Sequence, residues 1–138
     1  MPTLAMPQLK EQMSALAEKI ASDGFALKLD YSVASLKHVE RILGEIHKEY
    51  KQNGSEEGLH GIALEFGAYI VKIIERHFGP AEWLRDDPSM GKDTFPLQWR
   101  GTTLFPVAWC GKRIFDGPAD DIVFKFDALV QQKASESV

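Results

Sequence analysis

The stretch from Glu57 to Gly79 constrains this chain more than any other. On a wheel of 3.6 residues per turn, Leu59, Ile62, Ala63, Phe66, Gly67, Ile70, Ile73, Ile74 and Phe78 cover well over half the circumference. Only a narrow polar strip through Gly61, Glu65, Lys72 and Arg76 is left. A helix apolar over so wide an arc has to be covered on more than one side, which makes it the centre of a domain. Gly67 and Ala68 sit mid-helix, where glycine costs roughly 1 kcal/mol relative to alanine. The expected compensation is another element packed closely against the backbone at Gly67. Gly79-Pro80 ends the helix, with glycine expected in the left-handed C-terminal position. Charged residues interrupt the stretch well short of the ~20 apolar residues that span a bilayer, so no membrane segment is expected.

The flanking sequence supplies the cover. Between Pro7 and Ser22, Leu9, Met13, Leu16, Ala17 and Ile20 form one face of an amphipathic helix, a loosely attached N-terminal element over 7–22 that Asp23-Gly24 should stop. Ser32 suits the cap of a second helix running to about Gln52, with Leu36, Val39, Leu43, Ile46 and Tyr50 as its buried line. After the turn-rich Asp86-Asp87-Pro88-Ser89-Met90-Gly91, periodicity changes to two. Phe95-Pro-Leu-Gln-Trp-Arg100 reads as a strand, Gly101 as a turn and Thr102–Phe105 as its partner, with Glu82-Trp83-Leu84-Arg85 a further short strand. Pro106–Phe115 reads as strand or as short helix, and Pro106 at a first helical position favours the helix. A last helix over Ala119 to Lys133 would point Ile122, Phe126, Leu129 and Val130 inward, leaving a frayed tail at 134–138. These elements predict one mainly helical α+β domain over 1–138 with a small antiparallel sheet or hairpin.

Charge narrows the partners. The net charge is −4, with seven basic and seven acidic groups in residues 1–52, four and eight in 53–94, and five and five in 95–138. With no basic stripe to meet a phosphate backbone, nucleic acid is not an expected partner. The acidic middle instead fits a protein partner. The lone Cys110 excludes an internal disulfide, and no secretory pattern is visible near the start, so the cytoplasm is the expected compartment.

No catalytic or cofactor motif is present. Nucleophile-elbow, P-loop and dinucleotide-binding glycine patterns are missing, and no cofactor is expected. His38, His47, His60 and His77 lack the spacing that brings two imidazoles to one helical face, so no metal site is expected. Cys110, between Trp109 and Gly111, reads as a small buried hydrophobe. The acidic pairs Glu56-Glu57 and Asp120-Asp121 read as helix openings. The remaining constellation is the strip of Glu65, Tyr69, Lys72 and Arg76. It is first of all the solvent edge of the central helix. As a site, it would meet Trp83 or Trp99 in a groove that recognises an anionic ligand or an acidic protein segment.

Leu29-Asp30-Tyr31-Ser32 before a helix, Gly67-Ala68-Tyr69 inside the next, Gly79 then Trp83, and Pro106 followed by Lys112-Arg113 and Gly117 form an ordered pattern. In this order the chain resembles a family of small bacterial proteins of unknown function, over roughly residues 29 to 130. The family pattern has a Gly-Glu pair shortly after Gly-Ala-Tyr, where this chain has Val71-Lys72. The resemblance implies an α+β fold, a bacterial source and a looser kinship with immunity-like or accessory proteins that act by binding. It carries over no catalytic residue. The function expected from the sequence is therefore non-catalytic protein binding, the alternative being a small-ligand binder or unusual enzyme built on the Glu65 strip.

Overall fold

The structure, a computed structural model that describes residues 4–136, opens with α1 (Met6–Phe25). The helix runs through Asp23-Gly24 rather than stopping there. It closes at Ala26, which takes the left-handed conformation (φ 52°) while the Ala26 and Leu27 N–H groups return to the carbonyls of Ser22 and Ala21. Ser32 caps the next element as expected, its Oγ accepting the Ser35 N–H at 3.1 Å. A short turn of 3₁₀ helix (Val33–Ser35) comes between this cap and α2 (Leu36–Asn53). Leu36, Val39, Ile42 and Leu43 are buried, with Ile46 and Tyr50 half-buried further along.

The central helix is α3 (Leu59–Phe78). Ala63, the run from Phe66 to Val71, Ile73 and Ile74 are all buried, so the breadth of the apolar arc is matched by cover on several sides. The helix packs against α1 on one side and α4 (Pro106–Phe115) on another. Gly79 ends it with φ 103° and ψ 174°, an extended positive-φ conformation rather than the left-handed helical one. A glycine is still required there.

Between α3 and α4 lies a three-stranded antiparallel sheet in the order β1-β2-β3, with β1 (Glu82–Trp83), β2 (Leu97–Trp99) and β3 (Thr102–Leu104). Leu97 pairs with Leu104 and Trp99 with Thr102. Arg100 (φ 47°) and Gly101 (φ 74°) both take positive φ, the two-residue turn whose twist suits a hairpin. Leu97 and Trp99 point inward and Gln98 outward, the period-two pattern of the sequence. The fold is thus mainly helical α+β with a small antiparallel sheet, and 106–115 is helix, with Pro106 in its first turn.

The C-terminal part departs from a single regular helix. Pro118–Asp120 forms a separate 3₁₀ turn, and α5 (Ile122–Phe126) begins only after Asp121, whose Oδ1 accepts the Phe124 N–H at 2.8 Å. A π turn (Asp127–Gln131) follows and leads into α6 (Gln132–Glu136). A π turn is wider than an α turn, so Ile122, Phe126 and Val130 keep one inward line at four-residue spacing. Leu129 rotates outward to 43 % exposure, correcting its expected inward position. The frayed tail expected at 134–138 overlaps α6 up to Glu136; residues 137–138 lie outside the described residues.

The tightest glycine contact in the core is at Gly67. A Cβ built there would lie 2.5 Å from Val107 Cγ2 and 2.7 Å from Val107 Cα, the latter a backbone atom in the first turn of α4. Backbone that close cannot yield without moving the helix. Gly67→Ala should therefore lower stability by about 1–3 kcal/mol through overpacking, overriding its gain in helix propensity, and Gly67→Val should cost more. Denaturant midpoints at unchanged slope measure this; a raised midpoint for Gly67→Ala would mean that α3 and α4 are not in contact here.

Candidate functional site

Of the strip predicted as a solvent edge, Arg76 is exposed and Glu65 and Lys72 are half-buried, and the departure is at Tyr69. Tyr69 is fully buried, and its hydroxyl lies at the centre of a short polar relay. The Tyr31 backbone N–H donates to Tyr69 Oη at 2.9 Å, and Tyr69 Oη lies 2.6 Å from Ser35 Oγ. Ser35 Oγ donates its one proton to the Ser32 carbonyl at 2.6 Å, so Tyr69 must be the donor to Ser35. The relay therefore has a direction, from Tyr31 N–H through both hydroxyls to the Ser32 carbonyl. Burial raises the Tyr69 phenol pKa, which keeps it a donor.

Tyr31 forms the lid. It adopts φ 62°, a conformation rare for a bulky side chain, and its ring stacks on Tyr69 with centroids 4.5 Å apart. The segment is held at several points. His77 Nε2 donates to the Tyr31 carbonyl at 2.8 Å, Tyr31 Oη donates to Glu18 Oε2 at 2.7 Å, and Asp30 Oδ1 accepts from the Ser32 N–H and hydroxyl. Burial pushes the Tyr31 phenol up to about 12. The cations of the strip are used in the same place: the Arg76 guanidinium lies 4.3 Å and Lys72 Nζ 4.8 Å from the centroid of the Tyr31 ring. Lys72 also pairs with Glu11 at 3.0 Å, and beside it Lys10 pairs with Glu75 at 2.7 Å, both joining α1 to α3.

The remaining predicted residues do not join this cluster. Glu65 is half-buried and its carboxyl pKa is raised by desolvation. Trp83 and Trp99 are core residues whose indole N–H groups donate to the carbonyls of Phe95 (3.2 Å) and Phe78 (3.1 Å). Trp83 lines a shallow cleft with Met6, Lys10 and Glu75, none of them in the strip. The expected groove between strip and tryptophans is thus not formed, because Tyr31 and α1 occupy the space above Tyr69 and the indoles turn into the core. Among the described residues no three His, Cys, Asp or Glu side chains converge on a point that would hold a metal ion, and no helix is long and apolar enough to cross a membrane.

A different surface stands open. A groove of about 670 Å³ runs between two walls, one made by Val33, Ala34, Leu36 and Lys37, the other by the stretch from Asp121 to Gln131. Phe124 rises from the second wall at 74 % exposure, with Val123 at 36 % beside it. An ion pair between the buried Arg113 and the half-buried Glu40 sets the position of this wall. Arg113 Nε donates to Glu40 Oε2 at 2.8 Å, and Glu40 Oε1 accepts the Ile122 N–H at 2.9 Å, so one carboxylate ties α2 and α4 to the first residue of α5. Arg113 fits because Gly44 leaves room; a Cβ at Gly44 would lie 2.8 Å from Arg113 Nη2. Sequence reasoning missed this face, although a signal was present. Ile122-Val123-Phe124 are three consecutive apolar residues, and a helix with one buried face cannot bury all three.

The chain matches no protein-family model, no curated protein and no solved structure.

Two substitutions test the reading of the interior. Tyr69→Phe removes the acceptor of the buried Tyr31 N–H and the donor to Ser35, and should cost about 1–3 kcal/mol in unfolding free energy while the fold is kept. A neutral result would mean that the relay is dispensable. Cys110 is fully buried and its thiol pKa is raised by desolvation, so the native protein should react with thiol reagents only as it unfolds. Rapid labelling at neutral pH by a thiol-specific dye, abolished in Cys110→Ala, would contradict this.

Proposed function

We propose that this is a non-catalytic protein that works through protein–protein binding, in the manner of bacterial immunity-like or accessory proteins, and that it binds at the groove carrying Phe124. The observation that carries the reading is Phe124 itself. A phenylalanine 74 % exposed beside an open groove leaves a large apolar side chain in water, and a partner would remove it. Aromatic anchors of this kind dominate the energetics of interfaces. The ordered pattern that resembles small bacterial proteins of unknown function, and the cytoplasmic setting expected for a chain with a single cysteine, agree with this reading.

The alternative, a small ligand or substrate held on the Glu65 strip, has less to use. Tyr69, Lys72 and Arg76 already serve the lid and α1, and a ligand reaching them would have to displace Tyr31 and break the relay beneath it. Glu65 alone supplies no binding geometry.

Capture from a cell extract on immobilised protein tests the proposal. Phe124→Asp should abolish retention of the partner while leaving the denaturant midpoint unchanged, because the side chain contributes little to the core. Met90→Asp, at a site 65 % exposed in the loop between β1 and β2, should retain it. Capture that is indifferent to Phe124 would overturn the reading. So would a metabolite or metal that stabilises the protein with no protein retained, since ligand at 100 times its dissociation constant adds about 2.7 kcal/mol.

A further inference from the structure

The Phe124 face is complementary to itself, and from this we infer that its occupant is a second copy of the same chain, forming a symmetric dimer. The inference rests on the reading of that face as a binding surface. Each of its two walls carries what the other lacks. The wall from α5 and the π turn bears the projecting Phe124 and the carboxylate of Asp127. The opposite wall has the apolar floor of Val33, Ala34 and Leu36 and the ammonium of Lys37.

The charges point the same way. Neither Lys37 nor Asp127 has an ion-pair partner among the described residues, although both line one groove and both are exposed. Asp121, the third charged residue of the groove, is already committed, since its carboxylate caps the Phe124 N–H. Lys37 and, on the other wall, Asp127 are therefore the charged side chains of the groove with neither an ion pair nor a hydrogen bond among the described residues, while Asp121 keeps its charge and caps α5.

A two-fold axis lying along the groove turns each wall onto the opposite wall of the partner. That single operation seats Phe124 of each copy over Val33, Ala34 and Leu36 of the other and sets Lys37 against Asp127 twice. An isologous interface requires such reciprocity, in which residue i meets j and j meets i. Here both match within one chain, the apolar groups of each wall meeting apolar groups and each charge its opposite.

Sedimentation equilibrium of the purified full chain over a range of concentrations tests this. The wild type should show a reversible monomer–dimer equilibrium. Phe124→Asp should raise the dimer dissociation constant by at least about tenfold, as for loss of an aromatic hot spot. Lys37→Asp and Asp127→Lys should each weaken the dimer by setting like charges together, and each lies at an exposed position where the fold is kept. The decisive experiment mixes these two single variants. In the mixed dimer one charge contact joins the two substituted side chains with their charges exchanged, and the other joins the native Lys37 of one copy to the native Asp127 of the other. Every contact is then between opposite charges, so an equimolar mixture should dimerise more tightly than either variant alone, by about tenfold or more. A monomeric wild type whose capture of another protein still depends on Phe124 would overturn the dimer and leave the binding face standing. A monomeric wild type with capture indifferent to Phe124 would remove both. A dimer insensitive to Phe124→Asp and to both charge reversals would place the interface elsewhere and overturn the inference.

Discussion

The approach of α4 to α3 at Gly67 is the contact on which the rest of the structure depends. It brings the backbone of Val107 to within a side chain's width of the central helix, closer than any residue other than glycine allows. With α4 seated there, Cys110 and Ile114 fall into the core and Arg113 is carried to the α2 side, where it meets Glu40. A shift of α4 outward by even a methyl group would move all three. Cores are packed densely enough that such a shift propagates rather than being absorbed.

The Glu40–Arg113 pair shows how burial and charge are reconciled. Two nearly buried ions cost several kcal/mol each to desolvate, and attraction between them restores this only when their remaining hydrogen-bonding groups are satisfied. Glu40 meets that condition by accepting both the Arg113 Nε–H and the Ile122 N–H. Arg113 meets it less fully, since its Nη1 is buried without a protein partner among the described residues. Apolar residues of the same volume would hold the helices together as well or better. What they would not do is specify direction: the carboxylate fixes where α5 begins, because it needs the first free N–H of that helix.

Much of this architecture is legible in the sequence, and the exceptions share a cause. The width of the apolar arc from Leu59 to Phe78, the close approach at Gly67, the Ser32 cap and the Arg100-Gly101 hairpin all follow from periodicity and local chemistry. The strip is not legible in the same way, because a helical wheel locates a side chain on its own helix and says nothing about a segment distant in sequence. Tyr69 is at the polar edge of α3, but Tyr31, in a strained backbone conformation, folds over it. Tyrosine permits this because its ring is apolar while its hydroxyl is satisfied by one backbone N–H and one serine. The Tyr31 ring then gives Lys72 and Arg76 a surface to rest on, which turns a string of polar residues into a seam between α1 and α3.

The exposed face arises from the opposite situation, too many apolar residues for one helix to hide. Burying Phe124 would require rotating α5 by well over a quarter turn, since it stands two residues from Ile122 and two from Phe126. That rotation would take Ile122 and Phe126 out of the core, where they are at most 1 % exposed, and would pull the Ile122 N–H from Glu40. The π turn adds a second constraint, because it keeps Val130 in line with Ile122 and Phe126 and so commits Leu129 as well as Phe124 to the outside. The outward position of Phe124 is therefore held by the core itself: any relaxation that hid this ring would expose two buried side chains in its place and leave a carboxylate without its partner.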